Sequence, residues 1–133
     1  MLLAGGVAFT ATHLTLGNFV RELRFRGDSH AALRALLRSP EVTAARRCGP
    51  VSFPNHKLIP EARWILHAGE GDVVARSDRS QRRRIRRGVA IYAVGRMAFL
   101  RYGHSPDSIV YALPLPGFRR ARTTAHFSAY VRC

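Results

Sequence analysis

The seven residues from Gly88 to Val94 (Gly-Val-Ala-Ile-Tyr-Ala-Val) constrain this chain more than any other stretch. The run carries no charge and is bounded by Arg87 and Gly95. Its length and composition predict a central β-strand buried on both faces. Such a strand needs paired neighbours and a covering layer, and the rest of the sequence supplies candidates for both. Pro50 to Pro54 reads as a short strand hemmed by prolines, and Asp72 to Arg76 as another. Ile109 to Ala112 is a further strand candidate. At the end of the chain Phe127, Ala129 and Val131 alternate with His126, Ser128, Tyr130 and Arg132. That period of two predicts a half-buried terminal strand, paired with Phe118–Thr124 as a hairpin.

Helix signals fall between the strands. Asp28 or Ser29 reads as a cap before Ala31, Ala32, Leu33, Ala35, Leu36 and Leu37. Ser39-Pro40-Glu41 repeats the start signal with a cap, a proline and a carboxylate. That helix is expected to end in Arg46-Arg47-Cys48 and stop at Gly49 as a left-handed cap. Pro60 and Glu61 open another helix, with Trp64, Ile65 and Leu66 as its apolar face and Gly69 and Gly71 closing it. Ser77 to Arg87 reads as a surface connection, and Gly95 to Tyr102 as a short helix. The expected fold is α/β or α+β: a single layered domain with a mixed sheet of four to five strands, short helices packed on it, and a closing C-terminal hairpin. A length of 133 residues suits one core, and 47% hydrophobic residues excludes a disordered chain.

Charge narrows the partners. Lys and Arg total 22 against 8 Asp and Glu, and Lys57 is the one lysine. Guanidinium groups suit phosphates, yet a polyanion binder has no reason to exclude lysine. A genome-wide preference for arginine codons explains that exclusion better. Arg79 to Arg87 holds the densest cluster, and Arg82, Arg83, Arg84, Arg86 and Arg87 are the residues expected to touch a polyanion. Without an aromatic for base stacking, the cluster suits solvent or anionic lipid headgroups better than nucleic acid.

Residues 1–20 contain no Asp, Glu, Lys or Arg. They form an apolar N-terminal segment, diluted by Thr10, Thr12, His13, Thr15 and Asn18, ahead of a domain over residues 21–133. The segment reads as the end of a membrane helix or as an ordinary buried element.

Pro54-Asn55-His56-Lys57 is the most site-like loop, because it follows a strand and precedes a helix. A structural turn made by Asn55 is the competing reading. Asn55, His56, Lys57, Arg76 and Asp78 are the expected substrate-binding residues. His104-Ser105-Pro106-Asp107 contains the residue types of a hydrolytic triad, but adjacent residues do not converge. Glu70, Asp72 and Asp78 flank a strand and suit an ordinary turn better than a cation site. No catalytic residue, cofactor motif or metal-ligand spacing is present. Cys48 and Cys133 are either one disulfide or two unpaired thiols.

Several stretches taken in order carry a resemblance: Cys48-Gly49-Pro50, Pro54-Asn55-His56-Lys57, Trp64-Ile65-Leu66, Val73-Val74-Ala75-Arg76-Ser77-Asp78, Arg87-Gly88-Val89-Ala90-Ile91-Tyr92, Pro116-Gly117-Phe118-Arg119-Arg120 and Tyr130-Val131-Arg132-Cys133. The order resembles the C-terminal soluble part of multi-spanning, glycosyltransferase-like membrane proteins related to the protein mannosyltransferase and aminoarabinose transferase group. In that group a polyprenyl-phosphate sugar is the donor, and the essential carboxylates lie in an extracytoplasmic loop between membrane helices. This chain contains no such loop, so the resemblance assigns none of its residues a catalytic role. It implies an accessory domain, a gene fragment or a stand-alone relative, and the leading expectation is a non-catalytic accessory domain that assists sugar or polyprenyl-phosphate handling. Membrane helices of a parent or partner transferase would be its partners, and the extracytoplasmic face its location. It also implies that Met1–Ala11 is the tail of a membrane helix and that Cys48 and Cys133 form an exported disulfide. Arg21, Arg24 and Arg26 favour a cytoplasmic side instead. The alternatives are a basic nucleic-acid-binding module using Arg79–Arg87 and a small enzyme on sugars or phosphates.

Overall fold

The computed structural model describes residues 16–104 and 109–133. The expected membrane-helix tail over Met1–Ala11 and the Ser105–Asp107 part of the triad-like run lie outside the described residues. Five strands form one mixed sheet in the order β2-β1-β3-β5-β4. They are β1 (Val51–Phe53), β2 (Val73–Ala75), β3 (Gly88–Ala93), β4 (Arg119–Thr123) and β5 (Phe127–Arg132). β1 pairs in parallel with β2 on one side and with β3 on the other. β5 runs antiparallel to β3 over six residue pairs and closes the sheet with β4 as a hairpin. The expected central strand is therefore central: Gly88 to Tyr92 are all buried. The three parallel strands give the sheet an amino edge, before Val51, Val73 and Gly88, and a carboxyl edge, after Phe53, Ala75 and Ala93.

Helix α1 (Leu16–Leu37), α2 (Pro40–Ala45) and α3 (Ile59–Leu66) cover one face. Leu33, Leu36, Leu37, Val42, Ile59 and Ile65 pack there against the inward residues of β1, β2, β3 and β5. The other face carries Ser52, Val74, Ala90, Tyr92 and Ser128, which are also buried. It is closed by the Arg76 side chain and by the chain from a 3-10 turn (Ile109–Ala112) to Leu115, whose N–H donates to Tyr92 Oη at 3.0 Å. Short α4 (Arg79–Arg82) and α5 (Arg96–Ala98) complete the elements, the latter running into a π turn over Phe99–Gly103.

Local expectations met several corrections. Asp28 and Ser29 do not begin a helix; α1 passes through them and across the expected boundary at position 20. Ser29 is buried, and its hydroxyl is satisfied by Arg26 O at 3.1 Å and Tyr102 Oη at 3.0 Å rather than by a cap. Ser39 does cap α2, accepting from Val42 N. Gly49 is no left-handed cap; Arg46 ends α2. Gly49 is needed because a Cβ there would meet Arg87 O at 2.4 Å. α3 ends at His67, itself left-handed (φ 49°), not at Gly69. Ile109–Ala112 is a 3-10 turn rather than a strand, and Tyr111 O is turned to Arg76. Cys48 and Cys133 form a disulfide with their Cα atoms 5.4 Å apart, which ties the end of β5 to the turn after α2.

Candidate functional site

The sequence-selected residues gather at the carboxyl edge, as their positions after β1 and β2 require, but they divide into separate jobs. Asn55 is buried: its Nδ2 donates to Tyr102 O at 2.8 Å and its Oδ1 accepts from Lys57 N at 3.0 Å. That is an Asx turn stitched to the π turn. Lys57 Nζ donates to Arg101 O (3.0 Å) and His104 O (2.9 Å), so the one lysine neutralises carbonyls that end the π turn. Asp78 caps α4 through the N–H groups of Ser80 and Gln81. The Ser80 hydroxyl hydrogen bond, chiefly, holds its carboxyl below the ordinary value, and exposed His56 is close enough to add a small push the same way.

Arg76 is not in a cleft at all. Its side chain is sealed against the sheet, with no exposed surface. Nε donates to Tyr111 O (2.9 Å), Nη1 to Ser52 O (2.8 Å) and Ser52 Oγ (3.1 Å), and Nη2 to Ile91 O (2.7 Å). The Tyr92 ring lies 4.2 Å from the guanidinium carbon. No ion pair among the described residues includes Arg76. Burial pushes its pKa down to about 10, which still leaves it charged at neutral pH. Carbonyl oxygens and one aromatic face thus do the work a carboxylate usually does for a buried cation.

A groove of about 760 Å³ opens between α1, α3 and the π turn, lined by Arg26, His30, Lys57, Glu61, Arg101 and Tyr102. His30 Nδ1 is bonded to a Glu61 carboxylate oxygen, and Arg34 Nη2 donates to His30 Nε2 at 3.2 Å. The arginine donor makes Nε2 an acceptor, so the proton sits on Nδ1. Both ring nitrogens are thereby occupied. Arg26 and Arg101 share Glu22. Every charged group around the groove already has an intramolecular partner. Sequence reading missed the His30–Glu61 pair because thirty-one residues separate its members and neither stands in a motif.

The five arginines expected to touch a polyanion do not form one face. Arg82 lies half-buried over the Tyr111 ring at 4.7 Å, whereas Arg84 lies beside Gly71 at the amino edge. Arg83, Arg84, Arg86 and Arg87 are all exposed.

Among the described residues, α1 also presents an exposed apolar stripe. Leu16, Phe19, Val20 and Leu23 are exposed at i, i+3, i+4 and i+7 of α1. This stripe is turned roughly a third of a turn from the line Phe25, Ser29, Leu33 and Leu36 that faces the domain. Arg24 and Arg26 flank it on opposite sides. Exposed Met97 and Leu100 belong to the segment that Arg101 ties to Glu22 beside the same helix. No described helix is long and apolar enough to cross a membrane. Among the described residues, no three His, Cys, Asp or Glu side chains converge on a metal-sized space. No family model matches the chain, and no curated protein or solved structure matches it either.

Proposed function

We propose that this chain is a non-catalytic accessory domain that rests on an anionic membrane surface through the first two turns of α1. In this reading it serves a glycosyltransferase-like membrane protein of the kind its motifs resemble. The observation that carries the docking reading is the exposed Leu16–Phe19–Val20–Leu23 stripe flanked by Arg24 and Arg26. An apolar stripe edged by guanidinium groups suits a helix lying in the headgroup layer. Two further features support a membrane as the occupant. The fifteen residues before the stripe carry no Asp, Glu, Lys or Arg, and the chain as a whole has a formal charge of +14.

Vesicle co-sedimentation with the full chain tests this. Binding is expected to phosphatidylglycerol-containing vesicles, to be weaker on pure phosphatidylcholine, and to fall as salt rises. Phe19→Ser with Leu23→Ser should weaken it about tenfold or more, without loss of thermal stability, because both side chains are more than half exposed. No binding to anionic vesicles would overturn the reading. So would a dimer in solution that the double variant dissolves, since a second copy would then cover the stripe.

A further inference from the structure

The amino edge of the sheet holds a second, different opening. It is a cleft of about 560 Å³ between the turn after α2 and the turns that lead into β2 and β3. Arg46, Arg47 and Arg84 line it, with Asp72 the one carboxylate on its wall. None of the three arginines makes an ion pair or a side-chain hydrogen bond to another described residue. This is the reverse of the groove by α3, where each cation is already spent on a carboxylate or carbonyl.

Backbone contacts and the disulfide fix part of the cleft, and Gly71 leaves room for the end of the exposed Arg84 side chain. Gly71 has no side chain where Arg84 lies: a Cβ there would stand 3.0 Å from Arg84 Nη2. Gly49 and Gly88 cross so closely that a Cβ on Gly88 would meet Pro50 O at 2.4 Å, and this crossing forms a backbone floor. The disulfide fixes Cys48 between Arg47 and Gly49 and so holds one wall. Three guanidinium groups and one carboxylate leave a surplus of two positive charges, which matches a phosphate dianion.

We infer that this cleft binds the phosphate or diphosphate group of a soluble molecule, through Arg46, Arg47 and Arg84. Phosphate binding in the cleft is independent of membrane docking, whereas the assignment to a soluble molecule rests on that reading. Lipid headgroups and water-soluble compounds offer the same phosphate chemistry, and position separates them. Phe25 of α1 packs on His126 at the carboxyl edge, whereas the cleft opens at the amino edge, about 17 Å away along β3. A molecule resting on its α1 stripe turns the cleft toward water.

Calorimetric titration of the full chain with inorganic pyrophosphate provides the test. One saturable site is expected. Arg84→Gln and Arg47→Gln should each weaken it about tenfold, the loss of a charge-assisted hydrogen bond. Gly71→Val, which removes no charge but takes the space of the Arg84 guanidinium, should weaken it comparably. Arg83→Gln and Arg86→Gln, neighbours as exposed as Arg84 but outside the cleft, should change it less than twofold, by about the general effect of one screened charge. Retention on phosphatidic-acid vesicles should be unchanged by Arg84→Gln. Absent saturation, equal losses in all four arginine variants, or an unaffected Gly71→Val would overturn the inference. Loss of retention on the vesicles with Arg84→Gln would overturn the assignment to a soluble ligand.

Discussion

Arg76 shows how one side chain substitutes for a layer of structure. A sheet that buries both faces needs cover on both, and helices supply it on only one. On the other, the Arg76 guanidinium bridges the carbonyls of Ser52, Ile91 and Tyr111, joining β1, β3 and the 3-10 turn. Arg76→Ala should therefore cost about 3 kcal/mol or more in denaturant unfolding, since it opens a cavity and orphans buried acceptors. Arg76→Lys should recover only part of this, because one ammonium cannot replace a fork of donors. A fully stable alanine variant would show that the loop layer holds without the arginine. Gly88→Ala is expected to be severely destabilising, since its φ of 109° and its contact with Pro50 O exclude a Cβ. The sequence offered Arg76, the last residue of an expected strand, as a substrate-binding candidate. Nothing in a single sequence reveals that an arginine will turn inward, for the carbonyls that hold it come from residues 15 to 35 positions away.

Among the elements, those with strong local signals were legible. The apolar run Gly88–Val94 became β3, Ser39-Pro40-Glu41 became a capped helix, and the alternation after His126 became β5. What tertiary contact decides was not. Ser29 has the chemistry of a cap, yet Tyr102 takes its hydroxyl and the helix continues. The candidate loop at Asn55 was found in the right place, but its engagement with Tyr102 and Arg101 depends on a segment more than forty residues distant. Two predictions belong to this scale. Cys48→Ser with Cys133→Ser should lose about 4–5 kcal/mol, as the chain-entropy model gives for a bridge of this span. An unchanged unfolding midpoint with and without reductant would contradict it. Asp78 has a lowered folded pKa, so the stability it adds is complete above its ordinary value of 3.8 and is lost as pH falls through the lowered value. The stability gap between the parent chain and Asp78→Asn should accordingly be flat at neutral pH and shrink in acid.

At the scale of the whole molecule the sheet separates two chemistries. The carboxyl edge neighbours the exposed apolar stripe of α1 and a groove whose charges are mutually satisfied. The amino edge carries guanidinium groups that have no ion-pair partner among the described residues, beside a disulfide. The +14 charge was plain in the sequence, but its distribution was not, because Arg82 and Arg84 are two residues apart, yet one lies over Tyr111 and the other beside Gly71 at the amino edge. Membrane docking by one end fixes which surfaces face lipid. The direct measurement is paramagnetic relaxation of amide NMR signals from the labelled full chain on phosphatidylglycerol vesicles doped with a nitroxide lipid. Signals from Leu16 to Arg26 and from Met97 to Leu100 should be broadened, and those from Thr43 to Gly49 and at Gly71 preserved. Broadening that begins at Arg79–Arg87, or that is uniform over the domain, would contradict the orientation and the docking role with it.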